Sequence, residues 1–301
     1  MSNSFITTKG NQIILNRAYT ENADLSATEY LAPSKFKVGV DSASYTISNT
    51  DLTHAIPITN GTVLDDGTNT LTGSTGADNS TDNIVRFKPV PGIATPDLTA
   101  QNLNSNATSA TKIWTIAALS TSATATQYTG CWIYIKDQTT LDYFVSAEVK
   151  IGSDTSNYYS KTYAVADLTT GWNWLDLQVL NTNTETGTVT GAIDTFIIEI
   201  ITNNATDDWT DADVIYDLLR QWEDSDLIGD YVATYPIFDM VKLEVEIQSF
   251  LNSVQANGFD IDSFALFNED TTPLMHSLGT INGSSKSNTD EFTFISKDRM
   301  I

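Results

Sequence analysis

Between Lys112 and Leu219 the sequence falls into short apolar runs separated by turn-forming residues, and this limits the fold more than any other feature. The runs are Lys112–Ala118, Cys131–Lys136, Tyr143–Ile151, Tyr158–Val165, Trp172–Leu180, Asp194–Ile201 and Asp213–Leu219. Each has the length of a strand and is too short for a self-sufficient helix. In Tyr143–Ile151 the set Tyr143, Val145, Ala147, Val149 and Ile151 alternates with Phe144, Ser146, Glu148 and Lys150, the period of a half-buried strand. Phe196, Ile197, Ile198, Ile200 and Ile201 are almost continuous, which suits a central strand covered on both faces. Short strands at this spacing predict an antiparallel β-sandwich.

Composition agrees. Only 18% of residues are charged, and Thr, Asn and Ser supply the polar surface, a bias toward strands and turns. Cys131 is the only cysteine, so no intrachain disulfide exists and packing must hold the fold. Its setting, Cys131-Trp132-Ile133-Tyr134-Ile135, predicts a buried, inert thiol.

The net charge of −23, from 38 acids and 15 bases, argues against nucleic acid and anionic membrane surfaces as partners, because phosphate binding needs clustered Lys and Arg. No stretch approaches the roughly 18 apolar residues of a membrane helix. The start, MSNSFITTKG, lacks the basic and apolar regions of a signal peptide, so synthesis in a cytoplasm is expected.

The flanks differ from the middle. Residues from Thr8 to Tyr19 predict a helix, with Ile13, Ile14 and Ala18 on one face. Lys35–Val40 reads as a short strand. Residues 60–83 are dominated by Asn, Gly, Asp, Thr and Ser, and read as a hairpin or long exposed loop outside the core. Arg86-Phe87-Lys88-Pro89-Val90-Pro91-Gly92 reads as a boundary, and a second lies near Gly229 to Pro236. Beyond it Val241, Leu243, Val245 and Ile247 alternate with polar residues, and Asn257-Gly258 predicts a hairpin turn into Phe259–Phe267. There is no internal repeat.

Two resemblances add to this reading. The opening FITTKGNQIILNRAY, and the closing stretch with its LFN step (Leu266 to Asn268), acidic turn (Asn268, Glu269, Asp270), Ser285-Lys286-Ser287 and strand Glu291–Ile295, resemble the N-terminal attachment domain of bacteriophage tail-collar and tail-fibre proteins. Within the middle, GWNWLDL (Gly171 to Leu177), FIIEI and DADVIYDLL resemble a jelly-roll module of the carbohydrate-binding type. Together they imply a mainly β chain: a jelly-roll-like antiparallel sandwich (residues 88–229) inserted into a small α+β attachment domain split between residues 1–87 and 230–301. Insertion is tolerated at exposed loops whose ends lie close together. Three tandem domains are the alternative.

Candidate chemistry is sparse. His54 and His276 read as loop residues, and no metal-binding helix, phosphate loop or nucleophile elbow is present. Trp172, Trp174 and Trp209, with Tyr158, Tyr159 and Tyr163, are candidates for a glycan-stacking platform, against burial in the sandwich core. Trp209, in an acidic turn-like run, is the best candidate for an exposed aromatic. Asp207, Asp211 and Asp213 offer hard oxygen ligands for a structural calcium, though without the spacing of an EF-hand.

The attachment-domain resemblance implies a structural protein of a phage tail, located in the virion. It would contact other tail or baseplate proteins and assemble as a homo-oligomer, with three-fold symmetry the usual choice. The chain ends at Ile301, where fibre proteins continue into a shaft, so a baseplate, collar or adaptor role is expected. The alternatives are a module recognising host-surface glycan through the sandwich and, third, a glycan-degrading enzyme using two facing acids.

Overall fold

The computed structural model describes residues 4–7, 10, 33–40, 46, 48–52, 54–59, 61–88, 98–119, 128–178, 184–190, 192–242, 244–268, 274–287 and 289–299. The chain is mainly β and forms two units, residues 1–60 with 225–301, and residues 61–224. In chain order, the first part of the terminal unit supplies β1 (Ser4–Ile6) and β2 (Pro33–Gly39). The helix expected over Thr8–Tyr19 lies, apart from Gly10, outside the described residues.

The middle unit begins with β3 (Thr62–Asp65), β4 (Thr72–Ser74), β5 (Thr81–Asn83), β6 (Ala100–Asn102), β7 (Thr111–Ala117) and β8 (Tyr128–Ile135). It continues with β9 (Phe144–Asp154), β10 (Asn157–Ala164), β11 (Gly171–Gln178), β12 (Thr184–Thr186), β13 (Thr195–Thr202) and β14 (Val214–Trp222). The terminal unit then resumes with β15 (Gly229–Asp230), β16 (Ile237–Asp239), β17 (Glu244–Leu251), β18 (Asp260–Asn268), β19 (Met275–Ser285) and β20 (Phe292–Arg299).

The middle unit is an antiparallel β-sandwich. One sheet has the order β12-β10-β9-β13-β7-β4, the other β11-β8-β14-β6-β5, with β3 added against β14. Its core joins the two inner faces: Ala147, Val149, Ile198 and Ile200 from one sheet, Cys131, Ile133, Ile135 and Leu175 from the other. Burial of this apolar area is the main stabilising term. Desolvation pushes the Cys131 thiol far up, so it stays neutral, as its apolar setting led one to expect.

Two details overturn the local reading. Residues 61–87 belong to the sandwich rather than to the terminal domain. Here β3 pairs with β14, β4 with β7 and β5 with β6, and Leu71 is fully buried in the core. The Asp66-Gly67 turn therefore joins strands of opposite sheets and makes no hairpin, with Gly67 at φ +90°. Secondly, Phe144 faces inward and Val145 is exposed. Ile201 pairs with Ser146 and Thr202 with Phe144, so Val145 is the extra residue of a bulge that flips the alternation.

The terminal unit holds a five-stranded sheet, β1-β19-β18-β2-β15, and a three-stranded sheet, β16-β17-β20. Strands from both ends of the chain are neighbours in the first. Ser4 pairs with Gly279, and Phe264 of β18 with Val38 of β2. Phe36 and Phe264 pack against Phe294 of the smaller sheet, with the Phe264 and Phe294 rings stacked at 4.7 Å. This unit resumes at Ser225, five residues before the expected second boundary. Asn257-Gly258 makes no hairpin, because β17 and β18 lie in different sheets, and Val241 is exposed at a turn before β17 rather than inside a strand.

Candidate functional site

The strongest candidate is the outer face of the sheet led by β11. Alternation along β8 sends Cys131, Ile133 and Ile135 inward, so Trp132 and Tyr134 point out. Along β11 the same rule sends Leu175 and Leu177 inward and leaves Trp172 and Trp174 outside, half-buried. The register sets Trp172 beside Tyr134 and Trp174 beside Trp132. Their rings meet at 5.3 Å and 5.2 Å, and Trp174 meets Trp222 of β14 at 5.3 Å, edge on. Such tilted and edge-to-face contacts suit the ring quadrupoles. Gly130 permits the packing, since a Cβ there would lie 2.3 Å from the Trp174 ring.

The segment read as a boundary runs along this face. The Arg86 guanidinium sits 4.6 Å from the centre of the Tyr134 ring and the Lys88 ammonium 4.0 Å from that of Trp132. The Arg86 guanidinium also donates to the Tyr134 hydroxyl. The Asn83 side chain accepts from the amides of Val85 and Arg86, at 2.9 and 3.0 Å, and orients the segment. The Lys88 amide donates to Asp217 Oδ2 at 2.6 Å. Burial pulls the neighbouring Arg220 guanidinium down to about 10, while the charge of Asp217 pulls the other way. With Trp132 and Tyr134 largely covered, Trp172 and Trp174 remain the reachable rings, on edge strand β11.

The three candidate tryptophans are not brought together. Trp209 is only 3% exposed and packs in the core against Phe144 and Trp114, with its indole N–H donating to the Leu103 carbonyl at 2.5 Å. The acidic run turns its carboxylates outward and this ring inward, the opposite of the expectation. Tyr163 is also buried, its hydroxyl donating to Asp176. Tyr158 and Tyr159 are half-buried on β10, in the other sheet.

Asp207, Asp211 and Asp213 each serve a different local partner: the Asn204 amide at 2.8 Å, the Asn104 side chain at 2.6 Å and the Lys136 ammonium at 2.6 Å. Among the described residues no cluster of His, Cys, Asp or Glu could hold a metal ion. The fully buried Lys112 supplies a cation beside that loop instead. Its ammonium donates to the carbonyls of Asn106 at 2.6 Å and Ala205 at 3.5 Å. Burial lowers its pKa, and the charges of Asp208 and Asp207 counter the shift.

His276 is buried in β19 rather than placed in a loop. Lys286 is likewise buried, and its ammonium donates to Asn257 Oδ1 at 2.7 Å and the Asp290 carbonyl at 2.6 Å. A cleft of about 220 Å³ in the terminal unit, between β19 and β20, is lined by no carboxylate.

Trp132, Tyr134, Trp222, Arg86 and Lys88 were not expected at a site. Their signal was readable only in part: Cys131-Trp132-Ile133-Tyr134-Ile135 is a uniform apolar run by hydropathy, yet it alternates aliphatic or thiol with aromatic.

Comparison with known proteins adds little. No protein-family model matches this sequence, and no curated protein matches it. Among solved structures, a chain described as one of the carbohydrate-binding modules from the β-sandwich superfamily, studied for its promiscuous specificity, aligns with 64% of this chain and 86% of its own. The identity is 14% and the TM-score 0.37.

Proposed function

We propose that this chain is a non-catalytic attachment protein of a bacteriophage tail, a baseplate, collar or tail-fibre adaptor. In this reading the terminal unit docks to the particle and to neighbouring subunits, and carries the sandwich as an insertion. One observation carries the proposal: strands from the two ends of the chain are interleaved in a single sheet, β1 beside β19 and β2 beside β18. A domain closed by both termini can hold an inserted body without depending on it. The sequence resemblance of those same end segments to tail attachment domains supports the virion setting. The test is proteomic analysis of purified virions with antibody labelling under the electron microscope. The chain is expected in stoichiometric amounts at the tail. Its absence from washed particles would overturn the reading.

A second reading, recognition of host-surface glycan, is favoured by Trp172 and Trp174, two half-buried indoles on the same face of edge strand β11. Flat aromatic faces suit the apolar faces of sugar rings. Titration of the full chain with bacterial polysaccharides should show binding, and Trp172→Ala or Trp174→Ala should each weaken it about tenfold, from roughly 1.4 kcal/mol of lost ring contact. Binding unchanged in both variants would exclude this face.

A further inference from the structure

We infer that the ligand of the Trp172 and Trp174 face is an acidic polysaccharide, with the indoles against its sugar rings and Arg86 holding a carboxylate carried by one of them. The inference names a ligand class for the glycan reading and rests on that reading. It is independent of the virion reading.

Arg86 carries the argument. It is exposed, and among the described residues its guanidinium has no carboxylate partner: it donates to the Tyr134 hydroxyl and lies over that ring. A guanidinium has five N–H donors in a planar fork, so most of them remain for a ligand. Such a cation stands out in a chain of 38 acids and 15 bases. The exposed lysines Lys136, Lys242 and Lys297 each hold a carboxylate instead.

The fold fixes Arg86 in place. Buried Asn83 donates to Asn102 Oδ1 at 2.8 Å and accepts from the Val85 and Arg86 amides. Two residues on, the Lys88 amide is tied to buried Asp217. A cation anchored on both sides loses little freedom on binding.

The aromatic pairs set the cations beside the reachable rings. The centre of the Tyr134 ring is 4.6 Å from the Arg86 guanidinium and 5.3 Å from the Trp172 ring. In the next pair, Trp132 touches both the Lys88 ammonium and Trp174. Each reachable indole therefore stands one ring away from a cation. A hexuronate carries both complements on a single ring: an apolar face for the indole and a carboxylate for the guanidinium. Lys136, which feels the Arg86 charge, extends the positive edge, although Asp213 holds it. The net charge of −23 repels polyanions at long range, so capture of an acidic chain requires local recognition of this kind.

The experiment is titration of the full 301-residue chain with glucuronate, galacturonate and mannuronate oligosaccharides, each beside its carboxyl-reduced neutral counterpart. At least one acidic ligand is expected to bind about tenfold or more tighter than its counterpart. Arg86→Gln should remove that preference and leave the affinity for the neutral ligand unchanged. Arg86→Lys, which keeps the charge and loses the fork, should recover only part of it. Trp172→Ala should weaken both ligands alike. Circular dichroism of each variant confirms that it is folded. Equal binding of acidic and neutral ligands, or a preference that survives Arg86→Gln, would overturn the inference and leave the glycan reading standing. Binding of neither kind would overturn both. Acidic binding that is lost in Arg86→Gln but indifferent to Trp172→Ala and Trp174→Ala would reduce the contact to charge alone and also overturn the inference.

Discussion

On the outside of the sheet led by β11, Trp172 packs edge-on against Tyr134 and Trp174 packs at a tilt against Trp132 in two cross-strand pairs. On the outside of the opposite sheet, Glu148 of β9 lies directly across from Glu199 of β13. Like charges in that position repel. Lys150 resolves the conflict, its ammonium 2.6 Å from Glu199 and 3.3 Å from Glu148. The two inner faces are alike: both are apolar and mix aliphatic with aromatic side chains, Trp114 and Phe196 on one and Tyr216 on the other. The two outer faces are alternatives: one is finished with rings that shield one another, the other with a three-charge cluster. The same strand alternation specifies both, and only the cross-strand neighbours separate them. A ring surface can accept an apolar partner, whereas the charged surface already satisfies its own groups.

Gly130→Val puts branched carbon where the Trp174 ring lies, and should cost about 3 kcal/mol, the upper end of ordinary overpacking. Urea unfolding followed by tryptophan fluorescence would show both the loss and a red shift as the indole is expelled. Unchanged stability would mean that the ring rows do not contribute.

On the ionic side, Lys150→Met leaves two facing carboxylates without their cation. Since the Lys150 side chain is 10% exposed and its partners 15–20%, roughly 2 kcal/mol is expected, below the cost of breaking a fully buried pair. Thermal unfolding at neutral pH would measure it.

The pH dependence sharpens the contrast. Burial alone would lower the Lys150 pKa, but the hydrogen bond to Glu199 and the charges of Glu148 and Glu199 outweigh it, and the net shift is upward. A lysine raised in the folded state contributes stability that is complete below its unfolded value of 10.5 and is lost as pH climbs through the raised folded value. The stability gap between the unaltered protein and Lys150→Met should therefore be constant up to about pH 10 and close above it. Buried Tyr216 and Tyr163 act in the same direction, so the gap, rather than absolute stability, is the quantity to follow. A gap unchanged at pH 11 would remove Lys150 from the account. The smallest effect belongs to Lys88→Ala, which removes one cation from the Trp132 ring and should cost about 0.5–1 kcal/mol. An equal loss in a Lys88→Met variant is expected if charge dominates, and a smaller one if the side-chain stem does.

Much of the sandwich was legible because strand alternation is a local property. The expected Cys131–Lys136 became β8 and Trp172–Leu180 became β11, with their aliphatic residues inside. Residues 60–83 were misread because Asn, Gly and Thr announce turns but say nothing about what the short strands between them will pair with. Trp209 was misread for a related reason: its acidic neighbours describe the loop's solvent side, while the space for the ring is made by Phe144 and Trp114, far away in the chain. Of the candidate site, Trp172 and Trp174 could be named in advance. Their surroundings could not, since Trp222, which meets Trp174, arrives from β14, and Arg86, which covers Tyr134, from a segment that reads as a linker.

By itself, then, the order of residues determined the strand content, the absence of any intrachain disulfide, the strongly acidic surface and, along most strands, which side chains face inward. Those depend on composition and on a two-residue period. The tertiary structure alone decided that β3, β4 and β5 complete the sandwich, that a bulge turns Val145 outward, that Lys112 is buried beside an acidic loop, and that β1 pairs with β19 and β2 with β18. Each of these is set by contacts between distant segments, such as the Tyr216 hydroxyl on Asp65 across 151 positions. Burial and hydrogen-bond satisfaction are properties of the whole packed arrangement, which no local window of sequence contains.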